Sequence, residues 1–357
     1  MLTFDRQMSF DEQGNAQGKR LPHTYTTHDG KTVDSTGAFL VGELERLDMK
    51  LHEPLVMTSW GRDIDLREDV TIGDEVTSFM LSTYASAGGL GTGNGILTGK
   101  SWIGKNTDQI TGVGLDLGKI PHPLRPWAIE LKYTILELES SIRVGRPVDQ
   151  QKYNALLMKH DMDIDEQVYA GDSQFGDTGL MNATGVTATN VAASASAGNP
   201  TKWISTKTPN EILADVNNGI TAVWAASAWK VMPNRILIPP AQFGYLSSTI
   251  VSTAGNQSLL KYLLENNILV SSGQGRLEIF PVKWAIGAGA GGTIGTLGTN
   301  DRMAVYTKNQ EYVRFPMTLL NRTPLQYESI YQKCTYFCKL GVLEVVYPET
   351  MGYFDMI

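Results

Sequence analysis

Apolar positions change period several times along the chain, and each change marks an element. From Asp74 to Ala87 apolar and polar residues alternate, as in EVTSFMLSTYA, which predicts a strand ending at the glycine run GGLGTGNG, residues 88–95. Alternation returns in WAIELKYTI, where Ile129, Leu131, Tyr133 and Ile135 take one face and Glu130, Lys132 and Thr134 the other. The glycine-rich stretch between these two strands predicts a long, projecting, two-stranded loop.

A 3.6-residue period appears elsewhere. Phe39, Leu40, Leu44, Leu47 and Leu51 predict a short amphipathic helix over Ala38–Leu51, stopped by Pro54. Pro147 opens a long helix reaching about Ala170, with Tyr153, Leu157, Ile164 and Val168 as a stripe broken by His160 and Asp161. Thr208-Pro209-Asn210-Glu211 is a capping box, and the helix it starts carries Ile212, Leu213, Val216, Ile220, Val223 and Trp224. Then follow strand RILIPP, helices AQFGYLSS and SLLKYLLENN, strands LEIFPV and RMAVYTK, and a β-rich finish, YQKCTYFCKLGVLEVVYP. That alternation predicts an α/β lobe. Residues 1–35 are polar and aperiodic and read as an arm. Thr178–Thr201 and Trp284–Asn300 are uncharged, dominated by small residues, and read as loops too weakly apolar to cross a bilayer.

At 357 residues the chain exceeds one ordinary core, so two lobes, or one lobe with large extensions, are expected. A net charge of −7 argues against gripping nucleic acid through its phosphates, yet suits a wall around packed DNA, which a basic lining would pin. The acidic, polar N-terminus is not a secretory signal. Cys334 and Cys338 are too few and wrongly spaced for a disulfide framework, a zinc site or CxxC chemistry; on a strand they share one face and read as buried thiols.

Candidate chemistry is sparse. NGILTGKS, residues 94–101, falls one glycine short of a phosphate-binding loop, because Asn94 stands where backbone amides must wrap the anion. Asp161, Asp163, Asp165 and Asp172 imitate calcium-loop spacing, but Glu166 replaces the turning glycine, and a helix would point the three carboxylates around its cylinder, a solvated face. His23, His28, His52, His122 and His160 fit no metal or catalytic spacing, and no GxSxG elbow occurs. No catalytic, cofactor-binding or metal-binding residues are assigned, and no cofactor is expected.

The order of elements (arm, short helix, long hairpin loop, long helix, small-residue loop, α/β lobe, returning strands) resembles the major capsid proteins of tailed bacteriophages. Their fold, named after the phage Hong Kong ninety-seven, is shared with encapsulin nanocompartments. In IDEQVYAGDSQFGDTGLMNATGV, Asp165, Gly171, Gly179, Leu180 and Asn182 are similar to the family's passage after its long helix; in LGVLEVVYPETMGYF, Gly341, Val342, Val345 and Pro348 are similar to its last strand.

The resemblance covers residues 36–357 and implies an α+β fold. Its parts are an N-terminal arm with a short helix (1–61), an extended β-hairpin loop (62–130), a peripheral domain with a long spine helix (131–205 and 320–342) and an axial α/β domain (206–319 and 343–357). It implies a structural, non-enzymatic protein of the virion, made in the bacterial cytoplasm, that self-assembles as pentamers and hexamers into an icosahedral shell. The shell encloses double-stranded DNA without reading its sequence and engages no membrane. Portal and decoration proteins are implied partners; with no charged helical leader before the arm, a separate scaffolding protein is expected too. Met80, Tyr84, Lys100, Trp102 and Lys105 on the loop are expected to contact neighbouring subunits. An encapsulin-like shell, another virion protein, and a nucleotide-binding or hydrolytic enzyme are the alternatives.

Overall fold

The computed structural model describes residues 54, 56–86, 105, 113–144, 148–194, 201–204, 206–251, 257–297 and 300–357, together with two short strands, β1 (Ser9–Phe10) and β2 (Ala16–Gln17). Met1–Val56 and Met57–Ile357 form two compact units. In the first, β1 and β2 pair antiparallel; the helix expected over 38–51 lies outside the described residues.

The second unit begins with a single helical turn, α1 (Trp60–Asp63), and β3 (Asp65–Arg67). Next come β4 (Val76–Ser86), β5 (Val113–Pro123), β6 (Arg125–Thr134), α2 (Ile135–Val144) and α3 (Val148–Tyr169). After β7 (Thr187–Asn190) the α/β stretch runs α4 (Pro209–Ala226), β8 (Arg235–Ile238), α5 (Pro240–Ser248), α6 (Leu259–Glu265), α7 (Ile268–Ser271), β9 (Glu278–Pro281) and β10 (Arg302–Tyr306). The chain closes with β11 (Val313–Pro316), β12 (Asn321–Arg322), β13 (Gln326–Glu328), β14 (Tyr331–Leu340), β15 (Glu344–Val345) and β16 (Met351–Asp355).

A five-stranded mixed sheet, ordered β7-β16-β10-β8-β9, forms the centre of the α/β lobe. Helices cover both of its faces, so burial along its inner strands does not alternate: every residue of β8 and β10 is buried, mostly apolar, with Arg235 and Arg302 at the strand starts. Ile236, Ile238, Met303 and Val305 point to α4 and the short helices, meeting Ile212, Val216, Ile220, Leu246, Leu259 and Leu263. Leu237, Ala304, Tyr306, Met351 and Tyr353 point to the other face, against Ile164, Val168 and Tyr169 of α3. The capping box of α4 is present in full: the Thr208 hydroxyl accepts from Glu211 N, and the Glu211 carboxylate accepts from Thr208 N.

A second sheet has β14 at its centre, paired along its length with β6 on one side and with β12 and β13 on the other. The same α3, 22 residues and so about 33 Å long, packs on it through Leu156, which meets Leu131 and Tyr133. A three-stranded sheet, β15-β11-β3, links the two regions. Buried Glu344 fastens it, receiving Arg67 at 3.1 Å and Arg314 at 2.7 Å.

Four sequence expectations are corrected. The partner of β4 is β5, not the WAIELKYTI strand, which belongs to the β14 sheet; β5 escaped notice because Gly114, Gly118, Pro121 and Pro123 dilute its alternation. Ile135 begins α2 instead of ending a strand. His160 and Asp165 are buried on α3, while Tyr153 is 38% exposed, so the buried stripe is rotated and includes polar members. Within the small-residue stretch 178–201, Thr187–Asn190 is a strand paired parallel with β16.

Candidate functional site

No cleft in the sequence reading gathers chemistry, so the surfaces that a folded subunit leaves uncovered come first. Among the described residues, β4 and β5 pair with each other and with no third strand, over eleven residues each, from Val76↔Pro123 to Ser86↔Val113. Directly opposed residues of an antiparallel pair share a face. One face carries Thr77 and Phe79, both buried, with Phe79 stacked on His122 at 5.7 Å. The other carries Val76, Met80, Leu115 and Leu117, which are 53%, 73%, 58% and 61% exposed. A two-stranded ribbon with two open edges and an uncovered apolar face cannot be stable by itself in water, and such a surface calls for a partner.

The root of the ribbon is fixed by polar contacts. Arg67 reaches Ser78 O as well as Glu344, Lys339 Nζ donates to Asp74 O at 2.7 Å, and Leu124 N donates to Glu75 O at 2.9 Å. Of the five loop residues expected at contacts, Met80 stands on the uncovered face, and Tyr84 is placed by its backbone pairing with Leu115 in the ribbon. Lys105 is exposed in a turn. Lys100 and Trp102 lie outside the described residues, as does the NGILTGKS motif.

The passage after α3 is built around close backbone approaches. Gly171 has φ +72°, and a Cβ there would meet Asp177 O at 2.4 Å; one on Gly179 would meet the Tyr169 carbonyl carbon at 2.4 Å. Asn182 ties the turn, its Oδ1 accepting from Gly179 N at 2.6 Å and its Nδ2 donating to Ala170 O at 2.9 Å. Leu180 N and Met181 N then donate to Val168 O and Tyr169 O. Tyr353 and Arg302 close the far side: Tyr353 OH donates to Leu180 O at 2.7 Å, and Arg302, held by Asp355 at 2.6 Å, donates to Met181 O at 2.5 Å.

Asp165, read as one of three solvated carboxylates, is fully buried: Oδ1 accepts from Ser59 N at 2.8 Å and Oδ2 from Trp284 Nε1 at 2.7 Å. Asp163 instead accepts from Trp127 Nε1 at 2.9 Å. The helix therefore sends its carboxylates to different partners. Beside Asp165, buried Asp63 receives Arg235 at 3.0 Å and the Tyr169 hydroxyl, whose ionisation burial pushes well above its ordinary range. No sequence spacing announces this polar cluster, because Ser59, Asp63, Asp165 and Arg235 meet only in the fold.

Cys338 Sγ lies 3.5 Å from His160 Nε2, a pairing that resembles a nucleophile and its base. Burial reverses that reading. It pushes the Cys338 thiol up to about 12 and lowers the His160 imidazole, so both stay neutral and no thiolate–imidazolium pair forms near neutrality. Both cysteines are buried on one face of β14, as alternation requires. Among the described residues no group of three or more His, Cys, Asp or Glu is placed to hold a metal ion, and no helix is long and apolar enough to cross a membrane.

Comparison with known proteins turns this geometry into a family assignment. No curated protein matches the sequence. The capsid of Myoviridae phage XM1 superposes with TM-score 0.68 at 14% identity, covering 88% of this chain and 98% of that one. A chain from the structure described as Gordonia phage Cozz gives 0.54 at 12% identity over 92% and 96%, and the capsid of a native GTA particle 0.53 at 10% over 90% and 97%. These likenesses show the fold, the Hong Kong ninety-seven type. The sequence model described as "Major capsid protein" matches residues 99–357, from the loop through the last strand. With that match spanning most of its length, the chain belongs to the major capsid protein family.

Proposed function

We propose that this chain tiles, as pentamers and hexamers, into the icosahedral shell that encloses the double-stranded DNA of a tailed phage. The observation that carries the reading is the β4–β5 ribbon, which among the described residues pairs with no third strand and leaves the face of Val76, Met80, Leu115 and Leu117 exposed. A neighbouring subunit supplies that cover, converting surface that is costly in the monomer into interface. Met80, Tyr84, Lys100, Trp102 and Lys105 are the residues assigned to this contact.

In the same reading residues 1–61 are the arm, 62–130 the extended loop, 131–205 with 320–342 the peripheral domain, and 206–319 with 343–357 the axial domain. The protein acts without catalysis, is made and assembled in the host cytoplasm, and works with portal, scaffolding and decoration proteins. The net charge of −7 supports contents held by enclosure, not by phosphate contacts.

Deletion of residues 88–105 tests the reading. The variant is expected to keep the far-ultraviolet spectrum and unfolding midpoint of the wild type and to form no particles by negative-stain electron microscopy. Particles of normal size and yield from the deletion would overturn the role given to the loop.

A further inference from the structure

Just ahead of α4 a lysine and an aspartate are buried against each other. Lys207 precedes the capping residue Thr208, and Asp215 lies on the second turn of the helix that Thr208 caps. Their side chains are 1% and 3% exposed, and Lys207 Nζ lies 2.5 Å from Asp215 Oδ2. Both ends are held. The capping box fixes the chain between them, Lys207 Nζ donates to Ala192 O at 2.6 Å, and the buried Trp203 donates through Nε1 to Asp215 Oδ2 at 2.9 Å.

The site suits two charges poorly. An ion pair shut from water gives up solvation that mutual attraction returns only where hydrogen bonding is complete. An ammonium carries three N–H donors, and among the described residues Lys207 finds two acceptors, Ala192 O and Asp215 Oδ2. Burial holds the Asp215 carboxyl above the ordinary carboxylate range even with the lysine in contact. An amide in the same place fits its surroundings fully. Its one N–H would meet Ala192 O, its carbonyl oxygen would accept from Trp203 Nε1, and no charge would be buried.

We propose that Lys207 and Asp215 condense into an isopeptide bond within the subunit, a covalent modification that staples the entry of α4 to its second turn. Transfer of one proton from the ammonium to the carboxylate leaves a neutral amine beside a neutral acid. The Nζ lone pair attacks Cγ, and the Nζ–Cγ bond forms. Trp203 Nε1 holds the charge that gathers on Oδ2, as a fixed donor does in an oxyanion hole. The Cγ–Oδ1 bond then breaks, and Oδ1 departs as water with its own proton and one from Nζ. Nothing is oxidised or reduced, and no co-reactant is needed. Fixing amine and acid in contact replaces a bimolecular encounter by an intramolecular one, and a dry site opposes the return of water.

Mass spectrometry of the purified full chain is the test. The main species is expected to weigh one water less than its sequence. Trypsin should leave residues 203–230 as one peptide lacking that water, because cleavage after Lys207 needs its free side chain. Fragmentation of that peptide should give no backbone ions between residues 207 and 215. Lys207→Arg should restore both the full mass and cleavage after residue 207. A wild-type main species at full mass, cut after Lys207, overturns the proposal. A loss of water that survives in Lys207→Arg overturns it too, because a cyclised aspartate would then be the source.

Discussion

Single residues in this protein act mainly through what burial does to them. Gly179 has no room for a methyl group: its Cβ would sit 2.4 Å from a main-chain atom of Tyr169, which cannot swing aside. Gly179→Ala is expected to cost about 3 kcal/mol, read as a lower midpoint in urea. His160 and His122 are both held below the ordinary imidazole range, first by burial. The unfolded chain therefore takes up these protons first, below about pH 6.5, and stability falls as pH drops from 7 towards 5. His160→Gln should flatten that part of the acid slope, by up to about 1.4 kcal/mol per pH unit, in denaturant titrations across the window. An unchanged slope would mean that the buried imidazole beside Cys338 does not titrate there.

Secondary-structure elements were legible in proportion to how far their neighbours agreed with local preference. The box at Thr208–Glu211 reads directly because capping chemistry is local, and the structure has both of its hydrogen bonds. Thr208→Ala is expected to cost about 1 kcal/mol, with thermal unfolding as the measurement. Strands β8 and β10 were legible as short apolar runs. By contrast β5 carries glycines and prolines, and pairing with β4, not propensity, makes it a strand. At α2 a β-looking start is overruled because the Thr134 hydroxyl accepts from Glu137 N and turns the chain out of β6. The buried face of α3 was misjudged because His160 and Asp165 count as polar in any periodicity, while Cys338, Ser59 and Trp284 make them suitable core residues.

At the largest scale, the second unit is held together at junctions by buried carboxylates. Asp63, Asp165 and Glu344 are each fully buried and join the segment 59–67, just ahead of the ribbon, to α3, β8 and β11. Glu344→Gln leaves two guanidiniums sharing one neutral amide. It is expected to cost about 3 kcal/mol, less than a pair wholly shut from water because both arginines keep some solvent. Chemical denaturation measures the loss, and limited proteolysis should then cut sooner between residues 67 and 86. The sequence by itself determined the succession α4, β8, α5, α6, β9 and β10, the capping of α4, the shared face of Cys334 and Cys338 and the resemblance to tailed-phage capsid proteins, since each rests on local spacing or motif order. Only the tertiary structure decided which strand completes the ribbon and which carboxylates are buried. Those outcomes depend on which distant segments meet, and no local period encodes that.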